Sequence, residues 1–254
     1  MDNIGHYALI VATLDNKVQA RQILVDQLGY HHIDLERTVR HLPGILARNL
    51  TEVQASALHD GLEQAGCRCV VTLMDSLPDV EHVAASHHVR CLESGLEVLD
   101  LAGEKVEVIP WSSFYFISIG NIPHSMNAQP KSEISLESFQ VTGVHDALIK
   151  SVPKANQLWL AARLPDRCFR FDEHEMNYEY LGDRMTSSGT RNFQLFAEDL
   201  IRYAPHLVRS KSAADFFRSH SILKSNFASA DDYRHQVQAE IVLARDEVLR
   251  DHEC

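Results

Sequence analysis

Apolar residues in this chain switch between continuous runs, alternation and helical spacing, and the order of the switches predicts its elements. Tyr7 to Thr13 is an apolar run with β-branched residues that closes at Asp15 and Asn16, the pattern of a buried strand ending in a turn. From Lys17 to Leu28, the residues Val18, Ile23, Leu24 and Leu28 recur near helical spacing, and Gly29 supplies a left-handed stop. A second helix is expected through Leu35, Val39 and Leu42, starting near Asp34 and ended by Pro43. Gly44 to Leu50 reads as extended. Thr51 and Gln54 then form a capping box ahead of the stripe Ala55, Leu58, Leu62 and Ala65, which stops at Gly66. Cys67 to Met74 alternates and then becomes continuously apolar, as a strand paired beside the first would. The predicted order is β-α-α-β-α-β.

The stretch from Leu50 to Val71, a capped helix ending in Leu62-Glu63-Gln64-Ala65-Gly66 before an edge strand, resembles the C-terminal domain of the ribosomal stalk protein L7/L12, a fold related to the ClpS adaptor. The resemblance covers about residues 6–75. That family recruits translation factors through a lysine-bearing helical face beside a glycine-rich turn, and the matching stretch here, Leu28 to Arg37, does not reproduce that face. The dimerising segment that precedes the stalk domain has no counterpart before the first strand. The resemblance therefore implies the fold and not the activity. A fragment ending near residue 78 is expected to fold alone.

Residues 78–93, with Pro78, Asp79 and the histidine-rich stretch Glu81 to His88, read as a linker or a solvated short helix. Beyond them, Leu96 to Ala102 and Lys105 to Ile109 alternate on either side of Gly103-Glu104, which predicts a hairpin. Trp111 and Ser113 to Ile119 continue the strands. Further extended runs are Phe139 to Thr142, Gln157 to Leu164 and Cys168 to Phe171, with Tyr178 to Tyr180 as a last strand. Arg191 to Tyr203 is helical, with Phe193, Phe196, Leu200 and Ile201 on one face. A curved antiparallel sheet finished by one amphipathic helix resembles bacterial pleckstrin-homology-like domains over about residues 94–205. In the tail, Ser229 caps a helix with Asp231 and Asp232 in its first turn and a stripe of Tyr233, Val237, Ile241, Ala244 and Val248. That helix is expected to pack on its own chain rather than in a partner's groove.

Charge narrows the partners. Thirty-five acidic against 24 basic residues give a formal charge of −11, which repels phosphate backbones and anionic lipid. No nucleic acid is expected as a partner. The longest apolar runs fall far short of the roughly 20 residues that cross a bilayer, and the N-terminus has no basic n-region. No membrane insertion is expected. Five cysteines (Cys67, Cys69, Cys91, Cys168 and Cys254) lack a disulfide-framework spacing, as in a reducing compartment. The cytoplasm is the expected location.

Candidate chemistry is sparse. Fifteen histidines invite a metal reading, yet His31-His32 and His87-His88 place adjacent rings on diverging faces, and no His-Glu-x-x-His sequence occurs. Asp172-Glu173-His174-Glu175 is the densest polar cluster, and it reads as a turn between strands, with alternation leaving two of the four on one side. Cys67 and Cys69 share a strand face and read as small buried hydrophobes. Arg163, Arg167 and Arg170 lie near one another and read as a solvated rim with acidic neighbours. Trp111, Phe114, Tyr115 and Phe116 read as core, with Phe114 and Phe116 on one strand face and Tyr115 on the other. No nucleophile elbow, P-loop or dinucleotide fingerprint is present, and Ser187 to Thr190 reads as the loop capping the Arg191 helix.

The sequence thus describes an α+β protein in four parts. Residues 1–77 form a small β-α-α-β-α-β domain, 78–93 a linker, 94–207 a mostly antiparallel β domain closed by a helix, and 208–254 a helical tail. The expected function is a non-enzymatic protein-interaction or adaptor role with a protein partner, no cofactor, and no catalytic or metal residues assigned. The alternative is a hydrolase or metal-dependent enzyme whose site gathers distant residues, with His145, Asp146, Asp172 and His174 as candidates.

Overall fold

The computed structural model describes residues 5–29, 42–123, 153–163, 166–219 and 227–246. It is a mixed α+β structure with three mostly antiparallel sheets. The first sheet has β1 (Tyr7–Thr13) between β2 (Gly44–Leu50) and β3 (Arg68–Leu73), both antiparallel to it. Helices α1 (Lys17–Leu28) and α2 (Glu52–Gln64) belong to the same unit. The helix expected through Leu35 and Val39 lies outside the described residues.

Local chemistry sets the ends of α2. The Thr51 hydroxyl accepts from the Gln54 N–H while the Gln54 side chain accepts from the Thr51 N–H, closing the capping box. At the other end the Cys67 N–H reaches the Leu62 carbonyl and the Gly66 N–H the Glu63 carbonyl. That double closure needs a left-handed residue between them, and Gly66 supplies it at φ 78°.

A second sheet runs β10 (Val208–Arg209), β7 (Phe114–Pro123), β8 (Lys154–Arg163), β9 (Asp166–Asp172), and a meander of β4 (Val89–Leu92), β5 (Gly95–Leu99) and β6 (Lys105–Ile109) forms the third. The remaining helices are α3 (Gly189–Tyr203), α4 (Lys211–Ser219) and α5 (Ala230–Arg245). Ser188 and Ser229 cap α3 and α5 through their side chains.

Alternation along the strands distributes the core into layers. Leu9 and Val11 face α1 and α2, meeting Ala20, Leu24, Leu58 and Leu62. Ile10 and Ala12, on the opposite face, meet Ala239, Val242 and Leu243 of α5. The other side of α5, carrying Tyr233, Val237 and Ile241, packs on Phe116 and Trp159 of the second sheet. That sheet's far face buries Ile117, Leu160 and Phe171 against Phe193 and Phe196 of α3 and Phe216 of α4, with Leu96 and Trp111 joining from the meander. Helix α5 is therefore the middle layer between two sheets and packs on its own chain. Gly120 of β7 permits the approach, because a Cβ there would sit 2.7 Å from the Tyr233 ring.

Several expectations need correcting. Residues 78–93 are not a solvated linker: Val80 is fully buried, Ala85 and His88 bridge to Arg170 and Asn177, and β4 pairs with β5. The polar histidines hid a strand whose inward residues are only Val89 and Cys91. Tyr178 to Tyr180 is not a strand. Glu179–Arg184 is a 3-10 turn, entered at Tyr178, whose hydroxyl donates to the Glu173 carbonyl. In place of one curved sheet, residues 94–209 use two, and β10 runs parallel to β7. Phe114 and Phe116 lie on opposite faces, since a register shift at Tyr115 breaks the alternation. Residues 1–78 alone would leave Ile10 and Ala12 bare, because α5 covers them.

Candidate functional site

Of the candidates for an assembled polar site, His145 and Asp146 lie outside the described residues, while Asp172 and His174 meet in one cleft of about 180 Å³. The cleft is built where β8 (Asn156, Gln157), the end of β9 (Arg170, Asp172), the following turn (His174, Glu175) and the first turns of α5 (Ala230, Arg234) converge. The turn forms as the sequence suggested, with the Glu175 and Met176 N–H groups both donating to the Asp172 carbonyl. It also breaks strand alternation, so Asp172, His174 and Glu175 all line the cleft where two of the four were expected together.

Both Asp172 oxygens are engaged. Oδ1 accepts from Gln157 Nε2 at 2.6 Å and Oδ2 from Arg170 Nε at 3.1 Å. Glu173 turns inward and is buried, accepting from the Asn156 N–H (3.0 Å), Asn156 Nδ2 (2.6 Å) and Thr190 Oγ1 (2.5 Å), which ties β8 to the start of α3. Among the described residues no three His, Cys, Asp or Glu side chains gather as a metal site.

The remaining candidates disperse. His31 and His32 lie outside the described residues. His87 Nδ1 is 2.9 Å from the Glu175 carbonyl, while His88 lines a separate cleft beside Cys91 and Tyr180. Arg163 lies over the Tyr115 ring, Arg167 pairs with Glu107, and Arg170 holds Asp172. Cys67 and Cys69 are buried, and burial raises both thiols, that of Cys69 to about 12. Burial also pushes Cys91 and Cys168 up to about 12, so none of these four is a thiolate at neutral pH.

One polar cluster escaped the sequence reading. Ser118 of β7 donates to Glu240 Oε2 at 3.3 Å and accepts from the Tyr233 hydroxyl at 3.2 Å, and Ser212 lies 3.5 Å from Ser118 and 2.8 Å from Ser210. Glu240 is only 1% exposed between α5 and the second sheet, and burial lifts its carboxyl to about 7. Its position three residues past Val237, inside the apolar stripe of α5, was the available signal.

A more accessible feature lies along β3. Met74 donates its N–H to the His6 carbonyl, so Thr72 and Val70 also face β1, and the N–H and C=O groups of Cys69, Val71 and Leu73 point away from the sheet. Among the described residues β3 is an edge strand. The opposite edge differs: β2 is irregular in register, carries Asn49 at φ 57°, and is held by Gln238 of α5 through Arg48. Two adjoining hollows of about 420 and 430 Å³ flank β3 and share Tyr7 and Glu52. Apolar groups of Val53 (79% exposed) and Leu73 (46% exposed) open onto the first of them. Their carboxylates are Glu52, Asp75 and Asp246, and neither lining includes a lysine or arginine.

Compared with known proteins, the chain matches no family model, no curated protein and no solved structure.

Proposed function

We propose that this chain is a non-enzymatic protein-interaction or adaptor protein that takes an extended, basic segment of a partner protein along the edge of β3. The observation carrying this reading is the contrast between the two edges of the first sheet: β2 is bulged and held by α5, whereas β3 keeps regular pairing with β1 from Tyr7 to Val11 and presents an outward row of backbone groups. A regular edge adds a strand by main-chain hydrogen bonds, with specificity from side-chain hollows at alternate positions. The carboxylates Glu52, Asp75 and Asp246 favour lysine and arginine on that segment, while Val53 and Leu73 favour apolar residues between them. We place the protein in the cytoplasm, since Cys67, Cys69, Cys91 and Cys168 are all unpaired. No helix among the described residues is long and apolar enough to cross a membrane.

The test is selection of a displayed random octapeptide library on the full chain, followed by amide hydrogen exchange. Selected peptides should alternate basic and apolar residues, and should newly protect the N–H groups of Cys69, Val71 and Leu73 while leaving Val70 and Thr72 as they were. Glu52→Lys with Asp75→Lys should weaken binding at least tenfold. Protection elsewhere on the surface, or binders indifferent to both charge reversals, would refute the reading.

A further inference from the structure

The cleft between β8, β9 and the start of α5 has walls that are fixed and donors that are not used. Asn156 is 1% exposed, with its amide spent on Glu173 and on Asn121 Nδ2, and Gln157 is spent on Asp172 and Trp159 Nε1. Two guanidinium groups line the same space. Arg234 pairs with Asp231 through one terminal nitrogen, and its Nε is buried without a hydrogen-bond partner. Arg170 commits Nε to Asp172, and its terminal nitrogens make no hydrogen bond among the described residues. The Arg170 and Arg234 side chains are 21% and 24% exposed, and cationic donors held in so little water favour an anion in the cleft they line. The first turn of α5 opens onto the same space through Ala230, and a helix N-terminus favours negative charge.

The acidic groups limit which anion fits. Asp172 and Asp231 already neutralise part of the two arginines, and exposed Glu175 stands among the lining residues. A dianion meets the lining carboxylates of Asp172 and Glu175, and an amine alone meets two guanidiniums. The volume, about 180 Å³, lies below the range of clefts that hold drug-sized ligands. We propose that this cleft binds a small zwitterion of the α-amino-acid class, its carboxylate held by Arg170 and Arg234 and its ammonium by Glu175.

The experiment is isothermal titration of the full chain with each of the twenty standard amino acids, and with acetate, methylamine and inorganic phosphate as single-charge and dianion probes. At least one amino acid should bind saturably, and at least tenfold more tightly than any of the three probes. Arg234→Gln should weaken it at least tenfold and Glu175→Gln several-fold, with circular dichroism and melting unchanged for Glu175→Gln, whose side chain is exposed. Arg218→Gln, on α4 outside the cleft lining, should leave binding as it was. The proposal is overturned by no saturable amino-acid binding, by acetate or phosphate binding equally well, or by an affinity insensitive to both cleft variants.

Discussion

Replacing Glu240 with glutamine should remove a fall in stability that the protein undergoes as pH rises from about 4.5 through 7. The Glu240 carboxyl is enclosed by Ser118 on β7 and by Tyr233 and Gln236 on α5, and among the described residues it has no ion-pair partner. Burial raises it from an ordinary 4.5 to about 7, while the hydrogen bonds from Gln236 and Ser118 pull the other way. The folded state thus keeps a proton that the unfolded chain has released across that interval. The sign follows from linkage: stability is fully present below about 4.5, where both states are protonated, and is lost as pH rises through about 7. The full difference corresponds to about 3 kcal/mol. Urea unfolding of wild type and Glu240→Gln at pH 4.5, 6, 7 and 8 isolates the effect, because contributions from other titrating groups cancel in the difference. The wild type should lose about 3 kcal/mol relative to the variant between the ends of that series. Parallel stability curves would refute the assignment of a protonated carboxyl to the α5 interface.

Two further substitutions probe the same architecture. Gly120→Ala should cost about 1–3 kcal/mol by overpacking, since its Cβ would lie 2.7 Å from the Tyr233 ring and 2.8 Å from Phe227; wild-type urea stability would contradict the close approach of α5 to β7. Glu173→Ala strands the Asn156 N–H and side-chain amide together with the Thr190 hydroxyl, and should cost about 3 kcal/mol in the same assay.

Local chemistry was legible, and convergence was not. Thr51 and Gln54, Gly66, Ser188 and Ser229 mark helix ends because each cap is made within a few residues of itself, and the hairpin across Gly103 follows from alternation on both sides of one turn. Strand β10 has two residues and no periodicity to detect, and it exists because Val208 and Arg209 pair with Phe116 and Ile117 ninety-two residues earlier. The bulge at Tyr115 is likewise decided by its partner strand. The cleft holding Asp172 draws Arg234 from 62 residues away, so no spacing rule joins them. Glu240 was visible as a charge within an apolar stripe, but its burial depends on two sheets closing over α5.

The central position of α5 bears on how the chain is made. Synthesis delivers the first sheet long before residues 230–245 emerge, so Ile10, Ala12, Ile45 and Val70 wait without their cover until α5 is made. Any nascent chain stalled or cut before Ala230 carries two unsealed sheet faces at once, one from each half. Such a product would be sticky and a natural substrate for chaperones or proteases, whereas one that reaches Arg245 seals both faces with a single helix. Emergence of α5 and burial of both sheet faces are thereby the same event.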